Sequence, residues 1–137
     1  YGRRIGGPPE TAAFLAGQPS LPPLAPSAPL AAAAARQASD QAQAAQPGHV
    51  GRDGSTVRSR AQDAGLFASI VAEEIALGQS DARAVVRQLI VDEGYPAHPH
   101  RADLFSPNLK SAGAACGPHV RFRTLCVIDL AGAPAPR

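Results

Sequence analysis

Two neighbouring carboxylates, Glu73 and Glu74, interrupt the apolar run IVAEEIALG at residues 70–78. Apolar strands rarely accept acids unless a partner receives the charge. Three more ionisable side chains stand at the edges of segments that read as ordered: His49 after a helix stop, Asp92 at a helix end and His100 before a short turn. Functional side chains collect at such edges. The set His49, Glu73, Asp92 and His100 has the donors to bind zinc or another divalent cation, or to work as acid and base. Spacing alone does not gather the four, because their separations are long and irregular. Plainer roles exist for each: a solvated loop for His49, a turn cap for His100, an ion pair with Arg101 for Asp92 and one with a nearby arginine for Glu73. His98, His100 and Asp103 form a local triplet of metal-ligand type, but in a proline-flanked stretch that reads as loop.

Other chemistries lack support. There is no GxSxG elbow, no zinc-deaminase signature, and no GxGxxG or P-loop sequence to cradle phosphate. The two cysteines, Cys116 and Cys126, flank GPHVRFRTL inside two runs that read as strands. Facing strand residues can satisfy the geometry of a disulfide, which an exported protein would form and a cytosolic one would not. The alternative is a pair of small buried thiols. Either way they read as structural, which weakens a cysteine–histidine mechanism.

The elements that must position these residues follow from punctuation and periodicity. PPETAAFLAG reads as a short helix between prolines and Gly17. QPSLPPLAPSAP has five prolines in twelve residues, which favours extended chain lying along the domain. PLAAAAARQASDQAQAAQ is the strongest helix by propensity, stopped by Pro47 and Gly48. GHVGRDGS is a loop, and STVRSRAQDAG is a short helix capped by Ser55 or Thr56. In the strand LFASIVAEEIAL, Val71, Glu73, Ile75 and Leu77 share one face, while Ala72, Glu74 and Ala76 share the other. SDARAVVRQLIVDEG is an amphipathic helix with Ser80 as N-cap, Gly94 as stop and the stripe Ala82, Val85, Val86, Leu89 and Ile90. Asp92 falls in its last turn, where the helix dipole disfavours an acid. HPHRADLFSP reads as a loop with one helical turn. LKSAGAACG and RTLCVIDLAG are strands joined by PHVRF. Helices and strands do not alternate regularly, so the pattern is α+β.

The chain has 137 residues, enough for one domain with a sizeable core. Its net charge of +2, with Lys110 the only lysine and no basic patch interleaved with aromatics, argues against nucleic acid. No run of about 18 apolar residues is present, so no segment reads as a membrane-spanning helix. Alanine-rich, arginine-over-lysine usage fits a GC-rich, bacterial genome. The opening YGRRIGG lacks the apolar region of a signal peptide, and the chain reads as a fragment or mature form.

The residues also resemble a known family. The stretch SIVAEEIALGQSDARAVVRQLIVDEGYPAHPHRADLFSPNLKSAGAACGPHVRFRTLCVID is similar to the bacterial branch of the CAP superfamily, which holds the cysteine-rich secretory, antigen 5 and pathogenesis-related 1 proteins. The family's Gly-Glu-Asn-Ile signature aligns with Ala72, Glu73, Glu74 and Ile75, and its Gly-His-Arg segment with Pro99, His100 and Arg101. ACGPH and CVIDLAG match the bacterial hairpin. GHVGRDGS resembles the family's Ser-His-Thr-Gly-x-Asp-Gly-Ser loop.

The resemblance implies a three-layer α-β-α sandwich with a central antiparallel sheet over residues 9–132, an extension at 1–8 and a tail at 133–137. It implies a cleft in which His49, Glu73, Asp92 and His100 hold a divalent cation, zinc in several members. It implies a secreted or periplasmic protein, a binding module for an unidentified lipid, protein or other ligand. The rivals are a zinc-dependent hydrolase of peptide or peptidoglycan and a structural domain with a vestigial cleft. Glu74 departs from the family's Asn, which both donates and accepts hydrogen bonds, whereas ionised Glu only accepts. Glu74 must find an arginine, reach solvent or stay protonated.

Overall fold

A computed structural model describes residues 8–79 and 81–136. The elements in chain order are α1 (Pro8–Gly17), β1 (Ala25–Pro26), α2 (Ala28–Asp40), α3 (Val57–Asp63), β2 (Val71–Leu77), α4 (Ala82–Val91), α5 (Pro99–Leu104), β3 (Ser111–His119) and β4 (Arg123–Ala131). The strands form one sheet in the order β1-β3-β4-β2. Its main body is antiparallel, as expected; the two-residue β1 adds a parallel pairing at the end of β3. β2 is thus an edge strand. Among the described residues no helix is long and apolar enough to cross a membrane.

Helices cover both faces of the sheet. On one, Ala34 and Ala38 of α2 pack on Leu125 and Val127 of β4, with Ile75 and Leu77 of β2 beside them. Leu30 and Ala61 extend this layer over Ala131 and Val71. On the other face, Val85 and Leu89 of α4 meet Ala76, Cys126 and Ile128, with Leu104 of α5. The strand alternation of β2 is therefore as the sequence predicts, with odd and even residues facing different helical layers. The alanine face of α2 brings its backbone very close to the sheet. A Cβ on Gly113 would lie 2.1 Å from the Ala31 nitrogen, so only glycine fits there.

Local capping explains the boundaries. Ser27 caps α2, accepting from the Leu30 amide, and Pro29 occupies the first turn. Thr56 and Ser59 form a reciprocal capping box on α3. Asp81 caps α4 through the Ala84 amide; Ser80, the expected cap, lies outside the described residues, as does the expected N-terminal extension apart from Pro8. The alanine helix ends at Asp40, short of Pro47. Its expected tail instead turns back onto the β3–β4 hairpin: His119 Nε2 donates to the Ala44 carbonyl at 2.9 Å, and the Val120 amide to Ala42 at 3.2 Å. His119 Nδ1 accepts the Arg121 and Phe122 amides, so this histidine serves the turn. Helix propensity gave way to tertiary hydrogen bonds.

Cys116 and Cys126 are directly paired in the β3–β4 register and joined by a disulfide.

Candidate functional site

β2 places Glu73 and Glu74 on opposite faces of the sheet, and each meets a different set of partners. Glu73 faces the α2–α3 layer. Its Oε1 accepts from His49 Nδ1 at 2.9 Å and its Oε2 from Arg60 at 2.9 Å. The Arg60 side chain has no solvent exposure. It also donates to the Ser55 and His49 carbonyls and the Ser55 hydroxyl. One guanidinium therefore ties the 49–55 loop to the sheet and sets where His49 stands. The His49 side chain is about half exposed, so its second nitrogen looks outward.

Directly across the β2–β4 pair from Glu73 lies Asp129, wholly buried. Burial, followed by the adjacent Glu73 charge, pushes the Asp129 carboxyl to about 9. For Glu73 burial works the same way, but the hydrogen bond from His49 and the charge and hydrogen bond of Arg60 prevail and hold it below the usual carboxylate range. This face thus carries one carboxylate, one carboxylic acid and one guanidinium.

Glu74 faces the α4–α5 layer, where it finds no arginine. Burial first, then Asp103, Asp92 and Glu73, push its carboxyl to about 10, so it is protonated near neutrality. Protonation resolves the three options left by the sequence. It also restores a donor at the position where the family carries Asn, since a neutral carboxyl has an O–H. His100 Nε2 stands 3.7 Å from Glu74 Oε2, beyond hydrogen-bond length.

His100 is held by Asp92. Asp92 Oδ1 accepts from His100 Nδ1 at 2.8 Å, and Oδ2 accepts the His100 amide at 2.8 Å and the Arg101 amide at 3.3 Å. Asp92 does this from a left-handed backbone, φ 48°, as the C-cap of α4. Aspartate tolerates that region better than most residues but still at a cost. The acid that looked misplaced in a last helical turn is therefore the element that ends the helix and cradles the start of α5. The expected Asp92–Arg101 pairing occurs only through the Arg101 backbone. The Arg101 guanidinium instead joins Glu10 of α1, the Ile90 carbonyl and the Phe14 ring. Tyr95 stands edge-on to His100 at 5.8 Å. A cleft of about 230 Å³ at the β2 edge is lined by Tyr95, His100, Asp92, Glu93 and Gln88, with Leu89, Ile75 and Leu77 as its apolar members.

The four expected ligands are thus placed as two couples, His49–Glu73 and His100–Asp92, on opposite faces of the edge strand. Asp92 and His100 are therefore not among the hydrogen-bond partners of Glu73. Among the described residues no group of three or more histidine, cysteine or acidic side chains is arranged to hold a metal ion. Each histidine Nδ1 is occupied by a carboxylate, which leaves one Nε2 per couple, fewer donors than the three or four protein ligands of a zinc site. The residues do not fit such a centre as placed. The local triplet is not gathered either: His98 lies 3.7 Å from Glu10, while Asp103 neighbours Glu74.

Sequence reasoning missed Arg60 and Asp129, and it named Asp103 only as part of the local triplet and not as a neighbour of Glu74. Asp129 had a usable signal, an acid inside the apolar run CVIDLAG, the same signal that drew attention to Glu73. Arg60 had none, because its burial depends on how α3 meets β2.

Fold and site define a helix–sheet–helix sandwich with histidine–carboxylate couples on an edge strand. The chain belongs to the cysteine-rich secretory protein (CAP) family, which its sequence matches over residues 17–128. No curated protein matches it. Solved structures share the fold at low identity. An extracellular protein of Bacillus anthracis containing an SCP domain is 19% identical with a TM-score of 0.66, over 82% of this chain and 35% of the other. An outer surface protein of Borrelia burgdorferi is 17% identical with a TM-score of 0.67, over 84% and 80%. A cysteine-rich secretory protein of Staphylococcus aureus is 16% identical with a TM-score of 0.57, over 81% and 32%. The chain therefore spans about a third of the Bacillus and Staphylococcus proteins.

Proposed function

We propose that this chain is an exported binding module whose His100–Tyr95 cleft receives a ligand without turning it over. The observation that carries the reading is the separation of the two histidine–acid couples by the sheet. A hydrolytic centre needs a base, an electrophile-stabilising group and a nucleophile or activated water converging on one point. Here Glu73 is neutralised by His49 and Arg60, Glu74 holds its proton, and each Nδ1 is committed to a carboxylate. What lines the cleft is an imidazole held by Asp92, the acidic Glu93, an aromatic edge and apolar side chains, the mixture of a few polar groups and apolar surface that suits recognition. Export is supported by the disulfide and by the extracellular and outer-surface descriptions of the Bacillus and Borrelia neighbours.

The test is calorimetric titration with zinc on the wild type and on a His49→Ala/His100→Ala double variant, followed by peptide and peptidoglycan turnover assays with zinc present. The expected result is neither stoichiometric binding nor turnover. Stoichiometric binding lost in the double variant, accompanied by turnover, would replace this reading with a metal-dependent hydrolase.

A further inference from the structure

The outward face of α4 offers a second surface, remote in character from the histidine couples. Arg83, Val86, Arg87 and Ile90 follow the i, i+3, i+4, i+7 spacing of one helical stripe. The core uses the neighbouring stripe, Val85 and Leu89. Val86, expected in the core, is 43% exposed, so α4 carries more apolar face than the sheet covers. Helix α1 builds the opposite wall with Leu15, itself 44% exposed. Between them lies an open groove of about 250 Å³ lined by Leu15, Val86, Ile90 and Val91, with the Arg83 and Arg87 side chains at its rim. Among the described residues neither arginine is in a hydrogen bond or an ion pair. Helix α1 is pinned in place by the Glu10–Arg101 pair and by Phe14 against Phe105 at 5.1 Å. It ends at residue 17, where the family match begins, so the α1 wall of this groove lies outside the matched sequence.

We propose that this groove docks an acidic amphipathic segment of a partner protein, with apolar side chains on Leu15, Val86 and Ile90 and carboxylates on Arg83 and Arg87. Charge selects this occupant. Arg83 and Arg87 stand four residues apart on α4, a rise of about 6 Å along the axis, which matches carboxylates spaced one turn apart on a partner helix. The chain's own N-terminal YGRRIGG carries Arg3 and Arg4 and would meet like charge. A symmetric dimer on this face would set the same arginines against each other, because a two-fold contact pairs a patch with itself.

The test is selection of a phage-displayed random dodecapeptide library on the folded wild-type protein, with an Arg83→Glu/Arg87→Glu variant as the counter-screen and affinities read by fluorescence anisotropy. Both arginines are solvent-facing, and a matching thermal melt establishes that the variant is folded. A Val86→Ser variant probes the apolar half independently. The expected result is enrichment of peptides pairing Asp or Glu with Leu or Phe, weakened at least about tenfold by the double charge reversal and partly recovered when the peptide's acids become lysines. Enrichment of peptides without acids, equal binding to the variant, or no enrichment overturns the proposal. Arginine-dependent co-sedimentation with phosphatidylglycerol vesicles, with no peptide enriched, overturns it in favour of a lipid surface. A His100→Ala variant retains the selected peptides if the groove acts alone, so failure here and failure of the cleft reading are separable.

Discussion

Glu73 and Glu74 are consecutive, identical in chemistry and both nearly inaccessible, yet one is ionised and the other is not. The difference lies in what each face of β2 supplies. Glu73 meets a buried guanidinium and an imidazole, which together overcome the burial cost. Glu74 meets only acids and the distant edge of His100, so losing its charge is the cheaper solution. A strand's two-residue period can thus give adjacent positions opposite electrostatics without any change of residue type.

The largest break in this contrast is Arg60→Ala. It removes the buried cation that Glu73 and the 49–55 loop both use, leaving a buried carboxylate uncompensated. The expected loss is about 3–5 kcal/mol, read as a lower urea midpoint, with His49 resonances broadened by loop release. Next comes the matched pair Glu73→Gln and Glu74→Gln. The first strands Arg60, although Asp129 can ionise in place of Glu73, so about 1–3 kcal/mol is expected. The second swaps one neutral donor–acceptor group for another and is expected within about 0.5 kcal/mol of wild type at about pH 4, where Glu74 is largely protonated in both the folded and unfolded chain, and to stabilise the protein as pH rises. Equal costs for the two would refute the assignment of their charges.

A further probe is pH. Between 4.5, its ordinary value, and about 10, the folded chain keeps a proton on Glu74 that the unfolded chain has released. Stability attributable to Glu74 is therefore present at low pH and declines as pH rises through that window, by at most about 1.4 kcal/mol per unit. Asp129, pushed to about 9, slopes the same way. Glu73 slopes the other way, its contribution being present above its ordinary value and lost as pH falls below it. Urea midpoints at about pH 6 and about pH 9 should drop less in Glu74→Gln than in wild type. An unchanged slope would mean that Glu74 is ionised in the folded chain.

Much of the layout was legible in the residues. The alternation of β2, the hairpin, Pro29 in the first turn of α2, the cap at Thr56 and the stop at Gly17 are local signals, and local signals survive folding. The unusual position of Asp92 was visible too, though not its reason, which is a left-handed backbone that lets one carboxylate hold the start of α5. What was not legible depends on contacts distant in sequence. Helix α2 ends early because the hairpin captures residues 42 and 44. The two couples separate because β2 sits at an edge with helical layers on both sides. Val86 fell outside the core because the sheet is narrower than the apolar stripe of α4.

The disulfide has a consequence for how the chain matures. Its cysteines are ten residues apart and face each other in a hairpin whose register runs from Ser111–Ala131 to His119–Arg123. Such a contact is among the least non-local in the molecule and needs only hairpin closure, an event of microseconds. With two cysteines there is a single connectivity and nothing to reshuffle. Oxidation can therefore precede docking of either helical layer, and within these residues it has no wrong pairing to undo.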